Sequence, residues 1–381
     1  MGSKVIDVRS AVDLRDVVHR AVQTLVEGGL VVFPTETVYG LAASALNEHA
    51  VQRLLSAKGR SGAAHPLTLA VRSADDALDY MPHASQLCLR LARRCWPGPI
   101  TLVVDDSHAD SLVKQLPASV RAAVVPAGRI GLRVPAHPLV LDVLQMIAGP
   151  LALTSANRSG GPDSVTVDEA VETLGDDVDL YLDDGRCRYG QPSTVVQISH
   201  GQVSMLRGGV VTENTLKRLT GFVVVLVCTG NTCRSPMAEV MCRQLIAKRL
   251  GCKVEQLEER GVLVISAGIA AMAGAGASPE AVVVMAERGL DLSHHIAQPV
   301  GDRLIRHADV ILTMTNGHRG ALLSQWPEAT ARTFVLSPDG MDISDPIGGP
   351  TELYQQCADQ ILAALEQRIS EMELPAEGET S

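Results

Sequence analysis

The sequence predicts an α/β protein of two domains, and three observations carry that expectation. Short apolar, strand-like runs alternate with longer amphipathic stretches from end to end, the rhythm of helices packed on sheets. The chain has 381 residues, more than one ordinary domain. The rhythm restarts at Phe222, where Val223-Val224-Val225-Leu226-Val227 is the most apolar and β-branched run in the chain.

In the first part, Val12 to Gly28 reads as a helix stopped by Gly28-Gly29, and Leu30–Phe33 as a strand ended by Pro34. Further strands are expected over Leu67–Val71, Thr101–Val104, Ile130–Arg133, Leu151–Thr154, Thr194–Ile198 and Val203–Leu206. The closely spaced last pair, with no helix between, calls for a twisted mixed sheet with helices, not a purely parallel one. In the second part, Phe222–Val227 reads as a central parallel strand buried on both faces. It is followed by a helix from Pro236, a strand Val262–Ser266, a helix Pro279–Arg288 and a strand Val310–Met314. A helix from Gly317, a strand Thr333–Leu336 and a closing helix from Glu352 complete a small doubly wound parallel sheet. Domains are expected over 1–211 and 222–373, with a short junction at 212–221 and a polar, disordered tail at 374–381.

Composition narrows the function classes. With 46% hydrophobic and 20% charged residues the chain fills real cores, which excludes a mainly disordered protein. A formal charge of -10 argues against a nucleic-acid coat protein, and no stable nucleic-acid binding is expected. No run approaches the roughly 18 apolar residues of a membrane span, and the first residues lack a secretory apolar core. The eight cysteines are scattered without disulfide-framework or zinc spacing, so a cytoplasmic protein with no metal centre is expected.

The sharpest chemical signal is Cys228-Thr229-Gly230-Asn231-Thr232-Cys233-Arg234-Ser235-Pro236. A thiol here ends a buried strand, and Pro236 suits the first position of a helix. Such a strand–loop–helix turn aims backbone N–H groups and a positive helix end at one point, where an anion is held and a thiol ionises. Arg234 can clamp two phosphate oxygens with its planar fork, and Ser235 can donate to the sulfur. An acid for the leaving group must come from elsewhere; Asp345, in Asp345-Pro346 after the last strand, is expected at the same sheet edge. Cys233 is read either as a partner for a reversible disulfide with Cys228 or as a space-filling loop residue.

From Phe222 to about Glu371 the chain resembles the low-molecular-weight protein tyrosine phosphatase family, including Ser266-Ala267-Gly268 and the late Asp-Pro. The resemblance implies a phosphocysteine intermediate on Cys228, phosphate held by loop residues 229–235, Asp345 as acid then base, and no cofactor. Thr232 replaces the bulky aliphatic residue of tyrosine-directed members, and Ile347-Gly348-Gly349 follows Asp-Pro where those members carry aromatic residues. Both features resemble the protein-arginine-phosphatase branch, so a phosphoarginine protein is the expected substrate ahead of phosphotyrosine.

The first half has no Walker or dinucleotide glycine motif. It has polar residues at strand ends: Pro34-Thr35-Glu36-Thr37, Lys58-Gly59-Arg60 after a helix, Arg133, Ser155-Ala156-Asn157, Ser193-Thr194 and Arg207. Each alone fits a cap or turn; together they indicate an anionic small-molecule site. Residues 10 to about 210 resemble the threonylcarbamoyl-AMP synthase (YrdC-like) family in the blocks Phe33–Leu41, Lys58-Gly59-Arg60, Trp96-Pro97-Gly98-Pro99, Arg133–Pro138, Ser155-Ala156-Asn157 and Leu206-Arg207. The resemblance implies L-threonine, bicarbonate and ATP, helped by magnesium, as substrates, with the product passed to tRNA threonylcarbamoyl transferase machinery. It implies threonine contacts from Thr35 and Arg133, and ATP contacts from Lys58, Arg60, Ser155, Asn157, Ser193 and Arg207. The alternative reading of this half is an RNA-binding module fused to a tyrosine phosphatase.

Overall fold

The computed structural model describes residues 4–59 and 66–374. The chain forms two compact units, Met1–Leu219 and Thr220–Ser381. The first is built on one ten-stranded sheet. Its strands are β1 (Lys4–Asp7), β2 (Val31–Phe33), β3 (Gly40–Ser44), β4 (Thr68–Ala70), β5 (Ile100–Asp105), β6 (Arg129–Arg133), β7 (Leu151–Ser155), β8 (Leu180–Asp183), β9 (Thr194–Ser199) and β10 (Gln202–Arg207). They lie in the order β1-β8-β2-β3-β7-β4-β6-β5-β9-β10. The sheet is mixed: β5 runs parallel to β9, whereas β9 and β10 form an antiparallel hairpin and β3 is antiparallel to both neighbours.

Alternation along β2 shows why both faces are covered. Val32 faces a core shared with Leu54 of helix Glu48–Ala57 and Leu91 of helix Gln86–Cys95. Val31 and Phe33 face the opposite core, with Leu25 of helix Leu14–Val26 and Val143 of helix Pro138–Met146. The strands β1, β3 and β8 had no counterpart in the sequence reading, and helix Glu213–Thr220 occupies most of the expected junction. The expected disordered tail begins at Leu374; residues 375–381 lie outside the described residues.

The second unit carries a four-stranded, all-parallel sheet of β11 (Phe222–Cys228), β12 (Val262–Gly268), β13 (Val310–Thr313) and β14 (Thr333–Val335), ordered β12-β11-β13-β14. Every residue of β11 is buried. Val224 and Leu226 join a core with helices Arg234–Arg249 and Thr351–Glu371; Val223, Val225 and Val227 pack the other face against Ile305, Leu322 and Trp326. The helix after the phosphate loop begins at Arg234, not Pro236. Pro236 is thus its third residue, still inside the first turn, where a missing N–H breaks no intrahelical bond. Among the described residues, no helix is long and apolar enough to cross a membrane.

Candidate active sites

In the first unit, strand ends converge on a cavity of about 520 Å³ lined by Thr35, Arg133, Ser155, Ser193 and Arg207. These side chains come from the turn after β2, from β6, β7 and β10, and from the residue just before β9; in the sheet β3, β4 and β5 lie between them. Lys58 stands behind the cavity wall with 1% of its surface exposed. Burying an ammonium is costly unless it is hydrogen-bonded, and Lys58 Nζ donates to the Ser155 carbonyl at 2.7 Å and to Asn157 Oδ1 at 2.6 Å. Ser155 Oγ donates to the same Asn157 oxygen at 2.6 Å, so Lys58, Ser155 and Asn157 act as one linked group. Arg207 Nη2 donates to the Ser193 carbonyl at 2.9 Å and to its hydroxyl at 3.1 Å. Burial lowers the Arg207 pKa, Asp163 pushes it back up, and the charge of Arg133 lowers it further. Two guanidiniums that feel one another in one cavity make a field suited to anions. Arg60 lies outside the described residues.

One residue of this site, named in the sequence only as part of Pro34-Thr35-Glu36-Thr37, has a partner and a role there that the sequence did not signal. Glu36 forms an ion pair with Arg133 at 2.7 Å, with both side chains 8% exposed or less. Its second oxygen accepts the Ala136 N–H at 3.0 Å. Arg133 also donates to Thr37 Oγ1 at 3.0 Å and, through Nε, to the Gly98 carbonyl at 3.3 Å. Thr35 Oγ1 donates to the Val38 carbonyl at 2.6 Å, which closes the turn after β2 into a fixed hydroxyl-bearing loop. Glu36 stood in full view between Thr35 and Thr37, but its partner is 97 residues away.

In the second unit, the loop 229–233 wraps around the sulfur of Cys228. The Asn231 N–H donates to Cys228 Sγ at 3.2 Å, and Ser235 Oγ lies 2.9 Å from it. Asn231 holds the loop in shape from a left-handed backbone position, φ 55°. Its side-chain nitrogen donates to Ser235 Oγ at 3.0 Å and Ser266 Oγ at 2.9 Å, and its oxygen accepts the Gln298 N–H at 2.9 Å. His295 Nε2 lies 2.7 Å from the Asn231 carbonyl, and Glu239 accepts from the Ser266 hydroxyl at 2.6 Å. Gly268, opposite Cys228 in the sheet, leaves the loop its space: a Cβ there would fall 2.5 Å from the Thr229 carbonyl oxygen and 2.9 Å from the Asn231 nitrogen.

Arg234, 6% exposed at its side chain, pairs with Asp345, 43% exposed, so the expected acid does reach the loop and faces solvent beside it. The other Asp345 oxygen accepts the Ile347 N–H at 3.2 Å. Thr232 holds the loop's outer side, its carbonyl accepting the Ser278 N–H at 2.8 Å. Cys233 is buried with its sulfur 3.5 Å from both Thr232 Oγ1 and Tyr354 OH; both Cys228 and Cys233 are free thiols. Thr229 Oγ1 lies 2.8 Å from His318 Nε2, a contact the sequence did not signal. Gly230 carries no side chain into this ring, and the next hydroxyl, Thr232 Oγ1, would stand 3.5 Å from a Cβ there.

A basic cavity on a mixed sheet, followed by a thiol-centred loop on a parallel sheet, defines the class: an α/β protein of two units, each with a candidate site of its own. The family model described as telomere recombination (Sua5/YciO/YrdC) matches residues 23–209, and that for low molecular weight phosphotyrosine protein phosphatase matches residues 223–377. The chain is 34% identical over 197 residues to threonylcarbamoyl-AMP synthase of Pyrococcus abyssi, covering 51% of this chain and 54% of the relative. It is 36% identical over 209 residues to the Mus musculus threonylcarbamoyl-AMP synthase (52% and 69%), and 38% identical over 153 residues to the protein-arginine-phosphatase of Geobacillus stearothermophilus (39% and 93%). A solved Sua5 structure from P. abyssi shares the fold, with a TM-score of 0.52 at 24% identity over 69% of this chain and 91% of that one. The chain belongs to the Sua5/YciO/YrdC family through its first part and to the low molecular weight phosphotyrosine protein phosphatase family through its second. It spans about half the length of the Pyrococcus relative.

Proposed function

We propose that the chain is a bifunctional enzyme: an L-threonylcarbamoyladenylate synthase joined to a cysteine-dependent protein phosphatase, with the boundary near residues 212–221. The reading rests on the relatives' activities and on one observation in each unit. In the first it is the convergence of Arg133, Arg207, Ser155 and Ser193 on one cavity. In the second it is the Asn231 N–H and the Ser235 hydroxyl meeting at the Cys228 sulfur, with Arg234 and Asp345 beside them.

In the synthase reaction the threonine amine adds to bicarbonate with loss of water. A carbamate oxygen then bonds to the α-phosphorus of ATP while the bond to the β-phosphate oxygen breaks and pyrophosphate leaves. Arg133 binds the threonine carboxylate and Thr35 the amino acid's polar end; the linked group of Lys58, Ser155 and Asn157, together with Arg60, Ser193 and Arg207, holds the nucleotide. Catalysis is then positioning and charge neutralisation. Magnesium enters bound to the triphosphate as part of the substrate; among the described residues no cluster of three His, Cys, Asp or Glu is arranged to hold a metal. The product is consumed by tRNA threonylcarbamoyl transferase machinery in the cytoplasm.

In the phosphatase reaction the Cys228 sulfur bonds to phosphorus as the P–N or P–O bond breaks, and Asp345 gives its proton to the departing atom. Asp345 then takes a proton from the water that releases phosphate from sulfur, with the Ser235 hydroxyl steadying the leaving thiolate. Thr232, the Ile347-Gly348-Gly349 segment and the likeness to a protein-arginine-phosphatase favour phosphoarginine over phosphotyrosine. Cys228→Ser should abolish phosphate release from phosphopeptides and leave ATP- and threonine-dependent pyrophosphate release at the wild-type rate. Loss of both activities in that variant would refute two independent sites.

A further inference from the structure

His318 is an ionisable side chain at the phosphate loop to which the reaction above gives no task. It is the third residue of helix Asn316–Gln325, and the N-cap Thr315 fixes it twice. Thr315 Oγ1 accepts the His318 backbone N–H at 3.1 Å and lies 2.9 Å from Nδ1. The opposite nitrogen, Nε2, lies 2.8 Å from Thr229 Oγ1, on the residue directly after the nucleophile. The ring is therefore a strut between the end of β13 and the phosphate loop. A neutral imidazole, with one donor and one acceptor nitrogen, satisfies a hydroxyl at each end.

The charged groups facing the ring are Arg234 from the helix after the loop, and Asp345 and Asp342 from the segment after β14. Burial, aided by Arg234, lowers the His318 pKa, and the two carboxylates only partly offset that. The ring is thus uncharged at neutral pH. Asp342 is itself fixed as a carboxylate, accepting the Asn316 N–H at 2.7 Å and its side-chain amide at 2.9 Å.

We propose that His318 is a positioning residue of the phosphatase site: it holds Thr229 in place and, by staying uncharged, leaves the mouth to Asp345 and Asp342, which favours substrates that release a guanidinium over those that release a phenol. The proposal rests on the phosphatase reading and deepens it. When the P–N bond breaks and nitrogen takes the Asp345 proton, the departing group is a cation. An imidazolium nearby would oppose it across a partly buried gap, where charges are poorly screened. A phenol leaves without charge and does not feel that opposition.

The test uses the full chain and two peptides of one sequence, carrying phosphoarginine or phosphotyrosine, with uncatalysed loss subtracted. In the wild type, the ratio of the two kcat/KM values should hold from about pH 8 down to the ordinary imidazole range near 6.5 and fall about tenfold below it, as the ring, its pKa lowered by burial, takes up its proton. His318→Gln, whose amide reaches Thr229 and never charges, should hold that ratio within about twofold over the same range. His318→Ala should lower kcat about tenfold on both peptides with little change in KM, and glutamine should restore it. Thr229→Val should reproduce the kcat loss without flattening the ratio. A ratio that falls equally in His318→Gln and the wild type would overturn the proposal, as would wild-type kcat in His318→Ala. A wild-type chain that hydrolyses neither peptide would instead overturn the phosphatase reading beneath it.

Discussion

Arg133 and Glu36 face each other in surroundings where removing one partner strands the other's charge. The threonine carboxylate proposed to bind Arg133 must share that guanidinium with Glu36. Arg133→Ala should therefore raise the KM for threonine at least about tenfold and that for ATP by less than about threefold. Equal increases, measured by pyrophosphate release, would remove the assigned role. Thr35, Lys58, Arg133 and Asn157 were brought forward as candidate site residues by the contiguous blocks, from sequence alone. Glu36, Glu239, His295 and Gln298 were not, because each acquires meaning only from a partner that the fold delivers from elsewhere in the chain. Pairings over such distances leave no local pattern to read.

Strand β11 was the easiest element to foresee, since a continuous β-branched run suits only a strand covered on both sides. Its fit is tight: Leu226 is fully buried between Ser266 of β12 and Leu312 of β13. Leu226→Ala should cost about 2–5 kcal/mol in urea unfolding of the second unit, the usual range for an emptied core position. Phosphopeptide KM should change little, because the register that places Cys228 is kept. Strand β3 was missed for the opposite reason. Gly40-Leu41-Ala42-Ala43-Ser44 is wholly buried, but its small residues lack β-strand character, and neighbouring strands impose the conformation. Strand β1 is half-polar and lies at a sheet edge, where pairing with β8 defines it more than any periodicity does.

Across the molecule, the cores of the two units share no residue, and the second depends on groups that must stay neutral. Burial pushes the Cys357 thiol from 9.0 up to about 12, and the Tyr354 hydroxyl from 10.0 up to about 12. Both are raised on folding, so their contribution is fully present below pH 9.0 and is lost as pH climbs through about 12. Denaturation midpoints of the second unit should fall steadily across that window, and Tyr354→Phe should make the decline shallower. A midpoint unchanged from pH 8 to about 11 would contradict this linkage. The division of the chain was legible because the α/β rhythm restarts visibly at Phe222. The order of the ten-stranded sheet was not, since six of its nine adjacencies join strands that do not follow one another in sequence.

Cys228 stands opposite Gly268 in one flanking strand, and Val227 stands opposite Thr313 in the other. Successive side chains leave a pleat on alternate sides, so a one-residue insertion or deletion within β11 would turn the sulfur away from its ring of donors. Over evolutionary time this segment can therefore drift by exchanging one amino acid for another, but it cannot change length. Copies that have retired the thiol should have done so by replacement at position 228, with the spacing around it intact.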